Sequence, residues 1–191
     1  RISPNEDLIV KSKIKEYKAN VKKLYKFLKL FKPELKDIRI EEKEDENYIH
    51  CVKKMVYDDY EIDTDYESNG IQKLMRIFSS IEDVTKGKIV FIDEFDSNLH
   101  DVYLCALLEY LMEYGEGQLC FTTHNVGPMD VLKQHKKSID FLSEDHQIYP
   151  WKTNGNYSPS KLYRNGMIEG SPFNVDAIDF IGVFGTGEED T

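Results

Sequence analysis

Two adjacent carboxylates follow the most apolar short run of the chain. Residues 89–92 read Ile-Val-Phe-Ile, and Asp93 and Glu94 come directly after them. A short apolar run of this kind is typical of a buried strand in a parallel sheet, and ligands bind at the carboxyl edge of such sheets. Two carboxylates at that edge suit a Mg²⁺ ion and a water molecule that attacks a phosphate. An apolar strand that ends in a solvated acidic turn is the alternative interpretation.

Four apolar residues followed by Asp-Glu form a Walker B pattern. In that pattern Asp93 holds Mg²⁺, mainly through water, and Glu94 polarises the water that attacks the γ-phosphate of ATP. A second feature lies 25 residues before Asp93, where Ser68, Asn69 and Gly70 precede an amphipathic helix predicted for residues 71–84. Serine and glycine at a helix start leave backbone amides free to face an anion, although an ordinary helix cap has the same sequence.

A histidine follows the next predicted strand. Residues 118–123 form an apolar strand, and His124 comes directly after it, 30 residues beyond Glu94. A lone histidine after a strand is commonly structural, but parallel strands would bring this one to the same sheet edge as the two carboxylates. Ser97 and Asn98 lie in the loop between Glu94 and the helix that joins the two strands.

These segments together resemble the ABC-type AAA ATPases of prokaryotic defence systems, the OLD-like and SMC-like group. Signature motif, Walker B, D-loop and H-loop occur in that order, and the likeness covers about residues 36–172. The resemblance implies that Ser68, Asn69 and Gly70 touch ATP held by the opposite protomer, that Ser97 and Asn98 belong to the D-loop, and that His124 bonds the γ-phosphate. It also implies ATP and Mg²⁺ as cofactors and an ATP-dependent homodimer, with DNA or a nuclease as further partners. His100 stands where many transporters have aspartate.

The phosphate-cradling motif of this family is missing from the sequence. No GxxxxGK[ST] occurs, so neither the glycines nor the lysine of a P-loop can be assigned. The resemblance therefore implies an N-terminal Walker A lobe, in the same or a separate polypeptide. We expect this chain alone to be inactive as an ATPase.

The predicted fold is α/β, the C-terminal lobe of an ABC-type ATPase, with a parallel sheet flanked by helices. Apolar residues at alternating spacings of three and four predict one long helix over residues 6–31. We prefer a helix packed on a sheet here to a coiled-coil stem. The predicted organisation has four segments: a long basic helix (1–35), an antiparallel β segment (36–67), an ATPase core (68–150) and an irregular tail (151–191).

Composition limits the function classes. The chain has 191 residues and a net charge of -10, which argues against a general nucleic-acid binder. Residues 11–32, however, hold nine lysines and one glutamate, which indicates either a phosphate-contacting surface or a solvated helix face. Three widely spaced cysteines and the lack of a signal or membrane segment favour a cytoplasmic protein.

Two other function classes remain open from the sequence. Asp93, Glu94, Asp96 and His124 could serve a Mg²⁺-dependent nuclease or a nuclease-associated subunit. The lysines of residues 11–32 could be the contact surface of a non-catalytic interaction module. Metal-dependent DNA cleavage without ATP would favour the first, and salt-sensitive binding without either activity would favour the second.

Overall fold

An antiparallel sheet of four strands begins the fold. The computed structural model of the chain describes residues 6–143, 146–151 and 158–167. The four strands are Glu6–Val10 (β1), Asp37–Glu44 (β2), Tyr48–Val56 (β3) and Glu61–Asp63 (β4). All three others pair with β3, which has β2 along one side and β1 and β4 in sequence along the other.

The helix predicted from residue 6 begins later. Residues Glu6–Val10 are a strand, Lys11–Lys13 form one 3-10 turn, and only Ile14–Lys29 (α1) is α-helical. The prediction was wrong because Val10 lies four residues before Ile14 and continues the helical spacing by coincidence. The β-branched side chains of Ile9 and Val10 suit a strand, and pairing with residues 48–52 of β3 decides the outcome.

Helix α1 packs on the sheet and does not extend as a stem. Its buried residues Val21, Leu24 and Leu28 face the interior formed with buried sheet residues such as Met55. Burial of these side chains, each worth about 1.5–3 kcal/mol, holds the helix in place. The packed arrangement was the one favoured from the sequence.

A parallel strand pair with two long helices follows the sheet. Its elements are Asn69–Thr85 (α2), Ile89–Ile92 (β5), Asp101–Tyr114 (α3) and Gln118–Phe121 (β6). Strands β5 and β6 pair in parallel, as predicted. In the described part of the chain this pair forms a sheet separate from the antiparallel one.

Strand β5 has one open face. Val90 and Ile92 are half-buried, while Ile89 is 64% exposed and Phe91 is 78% exposed. The prediction that this strand is buried on both faces was therefore wrong for this chain. Parallel sheets are normally covered on both faces, so an apolar surface remains uncovered here.

The chain divides into two units, Arg1–His124 and Asn125–Thr191. This division falls inside the segment 68–150 that the sequence analysis treated as one core. The second unit contains these elements: Gly127–Val131 (α4), Asp140–Leu142 (β7), Ile148–Pro150 (β8) and Pro159–Arg164 (α5).

The second unit contains a β-hairpin and a short helix. Strand β7 pairs with β8 in the antiparallel hairpin. Helix α5 lies in the tail, so the prediction that residues 151–191 are irregular was wrong for Pro159–Arg164. Its start is fixed by Asp130, which accepts hydrogen bonds from the hydroxyls of Ser158 (2.8 Å) and Ser160 (2.6 Å). Residues 152–157 and 168–191 of the predicted tail lie outside the described residues.

Candidate functional site

The parallel pairing of β5 and β6 brings the predicted acidic and histidine residues to one edge. Ile92 is in register with Phe121, so Asp93 and Glu94 leave the sheet beside Thr122. The backbone amide of His124 lies 3.4 Å from Oδ1 of Asp96, a weak hydrogen bond across the same edge. His124 is therefore on the edge that also carries Glu94.

Thr122 connects the two carboxylate positions, and the sequence analysis missed it. The Thr122 hydroxyl accepts a hydrogen bond from the Glu94 amide at 2.8 Å and donates one to the Asp93 carboxylate. The Thr122 carbonyl accepts from the Phe95 amide at 2.9 Å. These contacts fix the direction of the Asp93 side chain. The parallel register alone could have identified Thr122, because it places residue 122 opposite residue 93.

The turn after β5 has unusual backbone geometry. Glu94 has φ 46° and Asn98 has φ 61°, both in the left-handed region that non-glycine residues seldom adopt. Such conformations cost about 1–3 kcal/mol and persist only when neighbouring contacts hold them. Phe95, which is fully buried, anchors the turn by an edge-to-face contact with Phe121 at 5.3 Å. The side chains of Asp93 and Glu94 remain exposed at the sheet edge.

The predicted signature residues lie against this turn. A Cβ atom at Gly70 would be 2.8 Å from the carbonyl oxygen of Asn98, so no side chain fits there without a backbone shift. Ser68 is the N-cap of α2 and accepts a weak hydrogen bond, 3.4 Å, from the amide of Ile71. Asn69 begins the helix, where first-turn amides have no acceptor within the helix. This geometry is compatible with both roles considered for Ser68, a helix N-cap and a contact to an anion.

A cavity of about 340 Å³ opens beside these residues. Ser68, Gly70 and Asn98 line it on one side, and Phe31 and His100 on another. Three of the five predicted nucleotide-contacting residues thus share one cavity. Ser97 has a different environment, because its hydroxyl lies 3.0 Å from Nζ of Lys73 on α2.

His100 has a definite structural role. It is the N-cap of α3, and its Nδ1 accepts a weak hydrogen bond, 3.4 Å, from the amide of Val102. Its ring also lies 5.9 Å from that of Tyr103. Aspartate is among the best N-cap residues, so histidine replaces aspartate here with the same acceptor function.

A buried acidic residue precedes the signature segment. The side chain of Glu67 is 1% exposed, and it pairs with Nζ of Lys32 at 2.6 Å and accepts a hydrogen bond from the hydroxyl of Tyr57. Lys32 also lies over the Tyr57 ring, 4.8 Å from its centroid. Burial disfavours the charged lysine, but the hydrogen bonds to Glu67 and Tyr57, together with the negative charge of Glu67, outweigh burial and raise the Lys32 pKa. Burial, together with that carboxylate, raises the pKa of Tyr57 to about 12.

The donor set limits what metal the site can hold. Within the described ranges, no group of three or more His, Cys, Asp or Glu side chains could hold a metal ion. Mg²⁺ keeps several waters and is commonly bound by one or two carboxylates plus substrate phosphates. Asp93, with its carboxylate oriented by Thr122, fits that mode.

Comparison with known protein families gives one match. The sequence model of the family described as "AAA domain, putative AbiEii toxin, Type IV TA system" matches residues 10–130. The matched range includes strands β2, β3 and β4 of the antiparallel sheet, helices α1, α2 and α3, the parallel strand pair and the edge that carries the acidic residues. The search of curated proteins found no match. Among the described residues, no helix has both the length and the apolarity needed to cross a membrane.

Proposed function

We propose, from the premise that this chain belongs to the AAA domain family just described, that it is the C-terminal lobe of an ABC-type ATPase head. Family membership makes it an ATPase-like domain of the P-loop class with a mixed α/β fold. The finer assignment is to the OLD-like and SMC-like group. The parallel β5–β6 edge, where Asp93, Glu94 and His124 meet, is the observation that carries this proposal.

Each residue at this edge has a proposed role in nucleotide hydrolysis. Asp93 binds the Mg²⁺ of Mg-ATP, which neutralises phosphate charge when bound. Glu94 orients and polarises the attacking water, for which its exposed carboxylate is available. His124 contacts the γ-phosphate from the neighbouring strand. Thr122 keeps the Asp93 carboxylate in a fixed direction.

The second half of the site acts across a dimer in this proposal. The start of α2, with Ser68, Asn69 and Gly70, contacts ATP bound on the opposite protomer. A helix N-terminus has several free amides and about half a unit of positive charge, which suits a terminal phosphate. Ser97 and Asn98 belong to the D-loop that crosses to the partner. The close approach of Gly70 to Asn98 supports the two segments acting together.

A Walker A lobe completes the nucleotide site. The sequence contains no GxxxxGK[ST], and the exposed Ile89 and Phe91 leave an apolar face on β5. We place the lobe over this face, because parallel strands are normally covered on both sides. Without it the β- and γ-phosphates have no amide cradle, so the chain alone hydrolyses no ATP.

The test compares ATP turnover in three proteins: the chain alone, the full-length product of its gene, and that product with Glu94→Gln. We expect turnover only in the second. Glu109→Gln on α3 is the matched control, because it makes the same substitution at an exposed position away from the edge. If the purified chain alone turns over ATP, and Glu94→Gln abolishes that turnover, the need for the Walker A lobe would be contradicted. A full-length product in which Glu94→Gln behaves like Glu109→Gln would contradict the assignment of the catalytic base.

The cellular setting that we propose is a DNA-linked or anti-phage defence system in the cytoplasm. The family description names a toxin of a type IV TA system, which supports a defence setting. Protection of cells in a phage plaque assay, lost with Glu94→Gln, is the expected result. Equal plaque numbers with the parent and with Glu94→Gln would contradict it.

A nucleic-acid contact is a second candidate function, and α1 supports it. Lys15, Lys22 and Lys26 are exposed, and their spacings of seven and four put them on one face of the helix. In the described part of the chain these three have no ion pair, whereas Lys11, Lys18 and Lys23 pair with glutamates.

Salt-dependent binding to duplex DNA tests this candidate. Replacement of Lys15, Lys22 and Lys26 by glutamine should weaken binding and reduce the salt slope by about three, since each phosphate contact contributes about one. The matched control replaces Lys11, Lys18 and Lys23, which already have carboxylate partners. Equal loss in both triple variants would contradict a specific contact face. Cleavage of the DNA with Mg²⁺ and without ATP would instead favour the nuclease alternative.

A further inference from the structure

Lys73 connects the start of α2 to the turn that carries Glu94. Its half-buried side chain leaves α2 one turn after Gly70, and Nζ donates hydrogen bonds to the Glu94 carbonyl (2.8 Å) and to the Ser97 hydroxyl (3.0 Å). Neither acceptor is a carboxylate, so this lysine does not form a simple ion pair with either group. Its ammonium group instead donates to two neutral acceptors in one turn.

The turn needs such a contact. Glu94 has a left-handed backbone with φ 46°, and its carbonyl accepts from the Ser97 amide at 3.0 Å as well as from Lys73. Hydrogen bonds from a charged donor are about twice as strong as neutral ones. Lys73 therefore stabilises the conformation in which the Glu94 peptide carbonyl points toward α2 and its side chain lies at the sheet edge.

A steric contact restricts the same two segments. The backbone at Gly70 lies so close to the Asn98 carbonyl that a Cβ atom would be 2.8 Å away. Lys73 bonds to residues 94 and 97, and Gly70 lies against residue 98, so a shift of the first turn of α2 would break these contacts unless the loop after β5 moved with it.

We infer that Lys73 is a positioning residue. Through its two hydrogen bonds, nucleotide contact at the α2 N-terminus determines the position of Glu94. This inference rests on the proposed function, in which the α2 N-terminus contacts the partner's nucleotide and Glu94 acts on its own. Each glutamate would then be set by nucleotide in the other site. The coupling makes hydrolysis in the dimer cooperative in ATP concentration.

The first experiment measures ATP turnover by the full-length gene product against ATP concentration. Lys73→Met should lower kcat by about tenfold or more, the effect of losing a charged hydrogen bond, with little change in KM. The Hill coefficient should fall toward one. Lys73→Arg should restore most of kcat, because guanidinium also donates to both acceptors. Arg76→Met is the matched control on the same helix, since it removes one positive charge from an exposed position.

The second experiment needs no activity. Amide hydrogen exchange over residues 93–98 of the chain itself should be about tenfold faster in Lys73→Met than in the parent or in Arg76→Met. Normal kcat and Hill coefficient in Lys73→Met, or unchanged exchange, would overturn the inference. A parent without ATP turnover would overturn the proposed function and the coupling, while faster exchange in Lys73→Met would still support the positioning role.

Discussion

Replacing Lys32 by methionine isolates the energy of the buried ion pair before the signature segment. The Glu67 side chain is 1% exposed and that of Lys32 is 20% exposed, with Nζ and Oε2 2.6 Å apart. Methionine keeps most of the aliphatic stem and removes the charge. Glu67 then retains only the neutral hydroxyl of Tyr57 as a side-chain donor.

The expected loss follows from this burial. Removing one partner of a buried pair costs about 3–5 kcal/mol, because a charge is left buried without compensation. Lys32 lies at the edge of the interior and Tyr57 still donates to the carboxylate. We therefore expect the lower end, about 3 kcal/mol of unfolding free energy. The double variant Lys32→Met with Glu67→Gln also removes the negative charge of Glu67. Its loss of unfolding free energy should be about 2 kcal/mol smaller than the sum of the losses in the two single variants.

Urea unfolding at pH 7, followed by far-UV circular dichroism, measures these values. Lys36→Met is the matched control, because Lys36 and Asp58 form a 3.1 Å pair at the surface. Such surface pairs contribute little, so this variant should stay within about 0.5 kcal/mol of the parent. A coupling energy near zero between Lys32 and Glu67, or equal losses for Lys32→Met and Lys36→Met, would refute the reasoning.

The same network predicts a dependence on alkaline pH. The pKa of Tyr57 is raised to about 12 by burial and by Glu67, so the folded state favours the neutral phenol. Stability from this group is fully present below the ordinary tyrosine pKa of about 10 and is lost as pH rises from there to about 12. The raised pKa of Lys32 acts in the same direction. Tyr57→Phe should therefore have a flatter stability profile over that range, and an equal slope would contradict the assignment.

Three further predictions concern other parts of the chain. Phe91→Ser should reduce binding of a hydrophobic dye and change stability by less than about 0.5 kcal/mol, because Phe91 is 78% exposed; unchanged dye binding would count against an uncovered apolar face. His100→Ala should cost about 1 kcal/mol in urea unfolding through loss of the α3 cap, whereas His100→Asp should keep the cap and the stability. In the second unit, burial of Asp130 opposes its ionisation, but hydrogen bonds from the two serine hydroxyls and the Ser160 backbone, together with the charge of Lys133, outweigh burial and lower its pKa. That stability is present above the ordinary aspartate pKa of about 4 and is lost as pH falls through the lower folded value. Acid unfolding of this unit can be followed by the fluorescence of Trp151. The stability of Asp130→Asn should depend less on pH than that of the parent, and equal acid-unfolding profiles would contradict this role of Asp130.

The sequence was sufficient to predict features that depend on apolar periodicity. Strands β5 and β6 were predicted as parallel neighbours because each is short, apolar and separated by a helical pattern. The residues after each strand then had to meet at one edge, which placed Asp93, Glu94 and His124 together. The roles of these residues stay predictions.

Contacts set by turn geometry could not be predicted. Lys73 sits on an amphipathic helix, and nothing in its spacing distinguishes it from a solvated lysine until the left-handed turn at Glu94 is known. The β1 strand was missed because Val10 fits the helical period, and only pairing with β3 selects the strand. The β7–β8 hairpin was not predicted, because pairing between two strands of three residues leaves little signal in one sequence.

The most direct test of the account is the oligomeric state of the full-length gene product with ATP and Mg²⁺. Glu94→Gln should bind nucleotide without hydrolysing it, and light scattering after size exclusion should find a stable dimer that the parent forms only transiently. The dimer should dissociate when nucleotide is removed. A Glu94→Gln protein that stays monomeric at saturating ATP, or that turns over ATP like the parent, would contradict the assignment of this chain to an ABC-type ATPase head.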